Sequence, residues 1–402
     1  MRIGFFGNGS LGDEGAVVRD GTVADRLELF RQLELEGAEV FYLAPQERSP
    51  GNARVVGYRW RGELDALVVE ARDQSFAPPK DLSVSVDGLP AYEQAVVIGD
   101  WAAGRFGAAT RLAVWDFDLR TRRVLGISGR HSLYEQGAQW RARTPWMTDA
   151  LEKARTEGVT CLVPYEPEGN IIVEKLGHVR PEPGVRVREF HWCYPRGLEV
   201  PLAEVRGLRS RTWDLVYSGS DYDRRRRLWE LVVRPSAELN WKVVVTGVWG
   251  NRRQGREAGE WREKGFRSRV ESEAPLLTFA SDVGNAQVPF GKMVDIVRSS
   301  RLGVQLLPDE YRRIGYRTNR IAELAAAGVV TVLDREIDKG HGWWPDWDGW
   351  RVKGLEDMAR LREELRGWGT KELLNRLQGQ RELVRSVAGT GAQLVRILEG
   401  RG

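Results

Sequence analysis

One amphipathic segment constrains this chain most: it ends on a glycine and runs directly into a β-branched strand. It spans Tyr316 to Gly328, and Val329, Val330, Thr331, Val332, Leu333 and Asp334 follow without a break. Ile321, Leu324, Ala325 and Gly328 fall on one face of a helix, and the run after the glycine reads as a buried parallel strand. A helix that returns straight into such a strand is half of a βαβ unit, so an α/β fold is expected. Arg320 and Glu323 stand one turn apart near the start of that helix, so both can project toward the same ligand. A carboxylate so placed can accept hydrogen bonds from ribose hydroxyls, and a guanidinium can neutralise a diphosphate. The alternative is a surface ion pair on an ordinary amphipathic helix.

Length and composition narrow the setting. A chain of 402 residues exceeds one ordinary core and suggests two domains. With 42% hydrophobic and 29% charged residues it is globular rather than disordered. No apolar run reaches the ~18 residues of a membrane span, and a soluble cytoplasmic protein without a membrane partner is expected. Cys161 and Cys193 are the only cysteines, and with four histidines no Cys/His cluster has zinc spacing. The net charge of +4 is small, but arginine dominates the basic side and is spread unevenly. A polyanionic partner is permitted, not required.

Residues Arg2 to Phe6 read as a strand, and the glycine-rich turn Gly7 to Gly12, with Asn8 and Gly9 at its centre, follows. A helix is expected from Thr22 to a stop at Gly37. The turn fits the dinucleotide fingerprint poorly, so Asn8 and Gly9 are assigned to the floor of an acceptor or sugar site instead. Further strands are expected at 39–43, 64–70, 95–99, 112–115 and 159–163, and a helix at 148–157. Asp100 would end one of these strands, and Asp116 and Asp118 another. Ligands sit outside the carboxyl ends of strands in open α/β sheets, so these carboxylates are candidates for chemistry; capping the next helix is the alternative. Arg120, Arg122 and Arg123 come directly after, in a basic loop suited to an acceptor carrying phosphates or simply solvated.

Periodicity is lost between Phe190 and Arg211, which is taken as the interdomain connection. A second Rossmann-like unit begins with a strand at Trp213, which opens at Ser218, Gly219 and Ser220 onto four arginines, Arg224 to Arg227. A Gly-Ser turn at a helix N-terminus offers free N–H groups to an anion. Four cations there oppose the helix dipole unless an anion binds between them. A basic excursion (251–269), a helix starting after Pro289 and Phe290, and a strand at 302–306 come next. Four tryptophans within 343–350 suit either base stacking or packing under a loop. Amphipathic helices close the chain at 355–365 and 373–398.

These features together resemble the GT-B glycosyltransferases: two Rossmann-like domains, with the phosphate turn and the Arg–Glu helix both in the second. The second half is similar in detail to the phage DNA α-glucosyltransferases, which glucosylate 5-hydroxymethylcytosine in DNA. The matching stretches are Asp214 to Ser220 with the following arginines, Arg320 to Ala326, and Val330 to Asp338. The resemblance implies two domains facing across a cleft, with an acceptor-side domain at 1–200, a nucleotide-sugar domain at 201–370 and a C-terminal helix (371–402) returning to the first domain. It implies that Glu323 binds the donor ribose, that Arg224 and Arg225 hold the diphosphate with Gly219, Ser220 and Arg320 nearby, and that Pro289 and Phe290 sit by the nucleobase. Where that family carries a His-Asp-His sequence near the reacting sugar, this chain has Trp115, Asp116, Phe117 and Asp118. One carboxylate could be kept, and the imidazoles are absent.

The expectation from sequence is therefore a monomeric hexosyltransferase that needs no metal or other cofactor. It takes a UDP-sugar as co-substrate and modifies a hydroxymethylated pyrimidine in phage DNA. Asp116 or Asp118 would serve the acceptor hydroxyl, while Asn8, Gly9, Arg120, Arg122 and Arg123 would contact acceptor and DNA. Two other readings stay open: a GT-B enzyme acting on a protein or cell-surface glycan, and a non-catalytic nucleic-acid-binding protein on the same scaffold.

Overall fold

The computed structural model describes residues 1–7, 22–43, 54–70, 89–115, 153, 156–163, 185–221, 224–247, 265–280, 290–307, 318–335, 337 and 350–401. The chain divides into two compact units, the first holding 25–193 and 388–402 with the N-terminal strand, and the second holding 194–387 with the short segment 14–24.

The first unit is built on a sheet of β1 (Arg2–Phe6), β2 (Glu39–Tyr42), β3 (Arg54–Val55), β4 (Ala66–Glu70), β5 (Arg111–Trp115), β6 (Val159–Val163) and β7 (Val185–Glu189). Its order is β3-β2-β1-β4-β5-β6-β7, with every neighbouring pair parallel. A parallel sheet covered on both faces calls for unbroken apolar strands rather than alternating ones. β4 meets that demand: all five residues are buried, including Glu70 at its end.

The second unit carries β8 (Trp213–Tyr217), β9 (Val243–Val245), β10 (Leu277–Phe279), β11 (Ser300–Gln305), β12 (Val330–Asp334) and β13 (Arg351–Val352), ordered β10-β9-β8-β11-β12-β13 and again all parallel. Both orders reverse direction beside the first strand of the unit, the arrangement of a doubly wound Rossmann sheet. The core of the second unit gathers Val216, Val244, Met293, Val294, Val297, Leu324 and Val329. Each such side chain, fully buried, contributes about 1.5–3 kcal/mol.

Three expectations change. The apolar run 95–99 is not a strand but part of the helix Leu89–Ala102. A run of five apolar residues does not separate strand from buried helix; here Val97, Ile98 and Trp101 share a buried helical face, and the Trp101 indole donates to Thr110 O at 2.7 Å. Asp100 consequently sits in the last turn of a crossover helix, at the amino edge of the sheet, paired with Arg61 and with Arg105 at 3.0 Å. Burial raises its pKa while the two guanidiniums oppose that shift. Second, Arg267 and Arg269 belong to the helix Phe266–Glu273 and pair with Glu271 and Glu273, four residues on.

Third, the closing helix is two helices, Thr370–Val387 in the second unit and Gly391–Leu398 in the first. Gly389 lies between them, donates to Trp192 O at 2.9 Å and passes so close to His191 that an added Cβ would stand 2.2 Å from its carbonyl oxygen. Only a glycine allows that approach. Thr390 caps the last helix, and Gly391 N donates to Gln32 Oε1 at 2.8 Å, anchoring the C-terminal helix on the first unit as expected.

Candidate functional site

The site begins where β8 ends. The Tyr217 hydroxyl donates to Ser220 O at 2.9 Å, curling the turn back over the strand. Gly219 occupies the inside of that curl, where a Cβ would lie 2.6 Å from the Tyr217 hydroxyl. The turn after β9 presses on it equally closely, since a Cβ on Gly247 would fall 1.8 Å from Gly219 O. Thr246 Oγ1 donates to Ser218 Oγ at 2.9 Å, locking the two turns together. The result is a closely held stretch of backbone at the carboxyl edge of the sheet, the kind of turn whose main-chain N–H groups can meet a phosphate.

The four arginines that follow have four different jobs. Arg224 donates through Nη1 to Ser220 O (2.9 Å) and Ser220 Oγ (3.0 Å), so its guanidinium lies along the turn and meets only neutral oxygens among the described residues. Arg225 is buried, bonded to Asp221 at 3.0 Å and stacked on Phe266 at 5.5 Å. Arg226 is exposed. Arg227 reaches the other way, making a two-pronged bond to Asp334 at the end of β12 (2.7 and 2.9 Å) and a third to Lys353 O. Successive helical residues point about 100° apart, so four in a row cannot converge on one anion. Of the two arginines expected on the diphosphate, Arg224 lies along the turn and Arg225 is bonded to Asp221. The helical segment continues through a π-helical stretch, Trp229–Val233, into Arg234–Leu239.

The second half of the site is the helix Asn319–Ala326. Thr318 caps it, its Oγ1 accepting from Arg320 N at 3.2 Å. Glu323 is 3% exposed; Arg320 Nη1 donates to its Oε2 at 2.5 Å and Asn319 Nδ2 to its Oε1 at 3.3 Å. A carboxylate can accept more than two hydrogen bonds, so these contacts are compatible with ribose hydroxyls arriving beside them. The helix itself is held at its far end. Arg381, 1% exposed, donates to Ala325 O (2.9 Å) and Ala326 O (3.0 Å), and Arg211 donates to Gly328 O (2.9 Å) and Ser300 O (2.7 Å). Guanidiniums on the last carbonyls complement the negative end of the helix dipole. Burial pulls the Arg211 pKa down to about 10 and lowers that of Arg381.

Close packing completes the mount. Gly303 on β11 gives the helix room, for a Cβ there would meet Leu324 Cδ2 at 2.9 Å. Where β13 does not reach along β12, the Gln380 carboxamide takes the place of a strand, accepting from Thr331 N (3.0 Å) and donating to Thr331 O (3.1 Å).

These two halves meet at a defined point. β8 and β11 are neighbours, and the strand order reverses between them. The turn after β8 and the N-terminus of the helix after β11 therefore flank the crevice at the topological switch point, where open α/β sheets bind ligands. Tyr217 reports the convergence: burial pushes its pKa up, while the charges of Arg224 and Arg320 both pull it down. Gly219, Ser220, Arg224, Arg320 and Glu323, singled out from sequence, are thus gathered at one edge of one sheet.

The corresponding edge of the first unit is built differently. β1 ends at Phe6 beside β4, and Arg26, fully buried, donates to Glu70 Oε1 at the end of β4. Gly7 lies against this pair, a Cβ there standing 3.0 Å from Glu70 Oε2. Phe5, Phe30, Tyr42 and Trp115 pack edge and face around the same strand ends. Sequence reasoning missed Arg26 and Glu70; the available signal was an acid closing an otherwise apolar strand. Asn8, Gly9, Asp116, Asp118, Arg120, Arg122, Arg123 and Pro289 lie outside the described residues. Phe290 begins the helix Phe290–Arg298, and its side chain is not described. Among the described residues, no group of three or more His, Cys, Asp or Glu is placed to hold a metal ion, and no helix is long and apolar enough to cross a membrane.

No family model and no curated protein matches the sequence. Solved structures do match in fold along the whole length. BGT of phage T4, in complex with UDP and Mn2+, aligns over 99% of both chains at 15% identity with a TM-score of 0.58. A sucrose-phosphate synthase from Thermosynechococcus elongatus aligns over 100% of both at 12% identity and 0.51. HepE of Anabaena, in complex with UDP-glucose, aligns over 100% of this chain and 98% of its own at 10% identity and 0.50. At such identities the likeness is one of architecture: two Rossmann-like units, each with its switch point, in the GT-B fold.

Proposed function

We propose that this protein is a glycosyltransferase that takes a UDP-sugar in its second unit and passes the sugar to a hydroxymethylated pyrimidine in DNA. The observation that carries the donor half is the meeting of the Gly219–Ser220–Arg224 turn with the Arg320–Glu323 helix at the β8/β11 switch point. Structures with UDP or UDP-glucose bound share this fold, which supports the same choice of donor. In this reading the turn supplies N–H groups and Arg224 a guanidinium to the diphosphate, and Arg320 adds charge from the opposite side. Charge builds on the departing diphosphate as the sugar leaves, so donors already fixed in place stabilise the transition state more than the ground state. Glu323 accepts from the ribose hydroxyls and sets the register of the nucleotide along the crevice.

The acceptor half rests on the sequence resemblance and on the likeness to BGT of phage T4. Asp116 or Asp118 orients the hydroxymethyl oxygen and takes its proton. Arg120, Arg122 and Arg123 contact DNA phosphates, with Asn8 and Gly9 at the acceptor floor, and Pro289 and Phe290 border the nucleobase of the donor. Arginine rather than a divalent cation neutralises the diphosphate, so EDTA leaves transfer intact; transfer lost to EDTA and restored by manganese would overturn that part.

The deciding experiment is nucleoside mass spectrometry. DNA containing 5-hydroxymethylcytosine or 5-hydroxymethyluracil is incubated with the protein and a panel of UDP-sugars. A sugar-sized mass gain on one base establishes donor, acceptor and class together. UDP release that needs a protein or glycan acceptor, with every base unchanged, would keep the enzyme and discard the DNA substrate.

A further inference from the structure

The second unit carries a second cavity that the donor reading does not use. It occupies about 340 Å³ and lies at the amino edge of the same sheet, beside the start of β8, whereas the donor turn follows the end of β8. From Asp214 to Tyr217 the strand climbs roughly 10 Å, at about 3.3 Å per residue. A volume of this order lies within the ~300–1,000 Å³ range of small-molecule pockets.

Its walls are cationic and aromatic. Arg209, Arg301, Arg362 and Arg366 line it with Trp241, Trp368 and one lining carboxylate, Asp214, and Arg366 is paired with Glu363 at 2.7 Å. Asp214 is already committed: Arg301 donates to its Oδ1 and Lys242 N to its Oδ2 at 2.9 Å. Arg362 donates to the neutral carbonyl of Leu239, and Arg209 is exposed with no hydrogen-bond or ion-pair partner among the described residues. Among the described residues, these two guanidiniums meet no carboxylate. Two indoles share the same lining. Trp241 is 1% exposed with an indole N–H that finds no acceptor among the described residues, and Trp368 is half-buried against Trp350 at 4.9 Å.

We propose that this cavity binds a nucleotide unit, with its base against Trp368 and its phosphate held by Arg209 and Arg362. Stacking on an aromatic wall tolerates any base, and arginine matches phosphate with paired N–H donors. A purely aliphatic ligand would leave both guanidiniums unmet, and inorganic phosphate alone would leave the indoles uncovered. The ligand is either a free nucleotide or an unstacked nucleotide of a strand, because both present the same base and phosphate.

The test titrates dAMP and then tetradeoxyadenylate by calorimetry into the full chain and into its Arg224→Ala variant, in which the donor turn loses its guanidinium. Each ligand binds both proteins alike. Arg209→Glu and Trp368→Ala each weaken dAMP binding about tenfold or more, equivalent to ~1.4 kcal/mol, whereas Arg224→Ala does not. Arg209 is exposed, so its substitution leaves folding intact and the thermal transition in place. A tetranucleotide that binds more tightly than dAMP identifies a strand as the source, and equal affinity identifies the free nucleotide. Failure of both ligands to bind the full chain, binding that survives both substitutions, or binding lost to Arg224→Ala instead overturns the proposal.

Discussion

The two units share a sheet topology and part company at the edge where ligands bind. In the first, the described residues beside the β1/β4 switch point hold an internal pair, Arg26 with Glu70, packed among aromatic rings. In the second, the β8/β11 switch point carries the tight turn at Gly219, with Arg224 set on neutral oxygens among the described residues. One topology thus carries a guanidinium matched by a carboxylate in one unit and a guanidinium on neutral oxygens in the other.

The comparison breaks most visibly at the first edge. Arg26→Met leaves Glu70 buried without its guanidinium and should destabilise the protein by about 3–5 kcal/mol, read from denaturant unfolding, with much of the loss recovered in Arg26→Met/Glu70→Met. A small effect would mean the pair is not a structural closure. At the second edge, Glu323→Ala should raise the KM for the UDP-sugar about ten- to a hundredfold with kcat little changed, as expected when hydrogen bonds to a charged group worth ~1.5–3 kcal/mol are lost. Unaltered donor KM would remove Glu323 from the ribose. Gly247→Ala drives a Cβ into Gly219 O, so the two turns must part; a stability loss of about 1–3 kcal/mol is expected, together with weaker donor binding. Thr318→Ala removes the helix cap for about 1 kcal/mol, and a wild-type melting temperature would show the helix to be held by its C-terminal guanidiniums alone.

Much of this was legible in the sequence where local chemistry and tertiary demand agree. The β8 strand, its Gly-Ser turn, and the Arg320–Glu323 helix with the strand after it each announce themselves by period and punctuation, and the structure assembles them as expected. Legibility failed where one dimension of the chain hides direction. Arg224 to Arg227 read as a cluster, yet the helix sends Arg225 to Asp221 and Arg227 to Asp334, over a hundred residues away. The run 95–99 reads as a strand because five apolar residues carry no period, and only the placement of Trp101 against Thr110 decides for helix. Short edge strands such as β10 and β13 leave too few residues to signal at all. The Gln380 carboxamide standing in for a strand beside Thr331 belongs to the same class, since a contact across 49 residues has no local signature.

The central claim is that one arginine of the four, Arg224, faces the donor diphosphate. Arg224→Ala and Arg226→Ala remove the same charge from positions two residues apart, and calorimetric titration with UDP compares them directly. The account predicts that Arg224→Ala weakens UDP about tenfold or more, while Arg226→Ala stays within about twofold of wild type. Equal losses in both variants would mean that the turn acts only as diffuse positive charge, and an unchanged affinity in Arg224→Ala would place the diphosphate elsewhere.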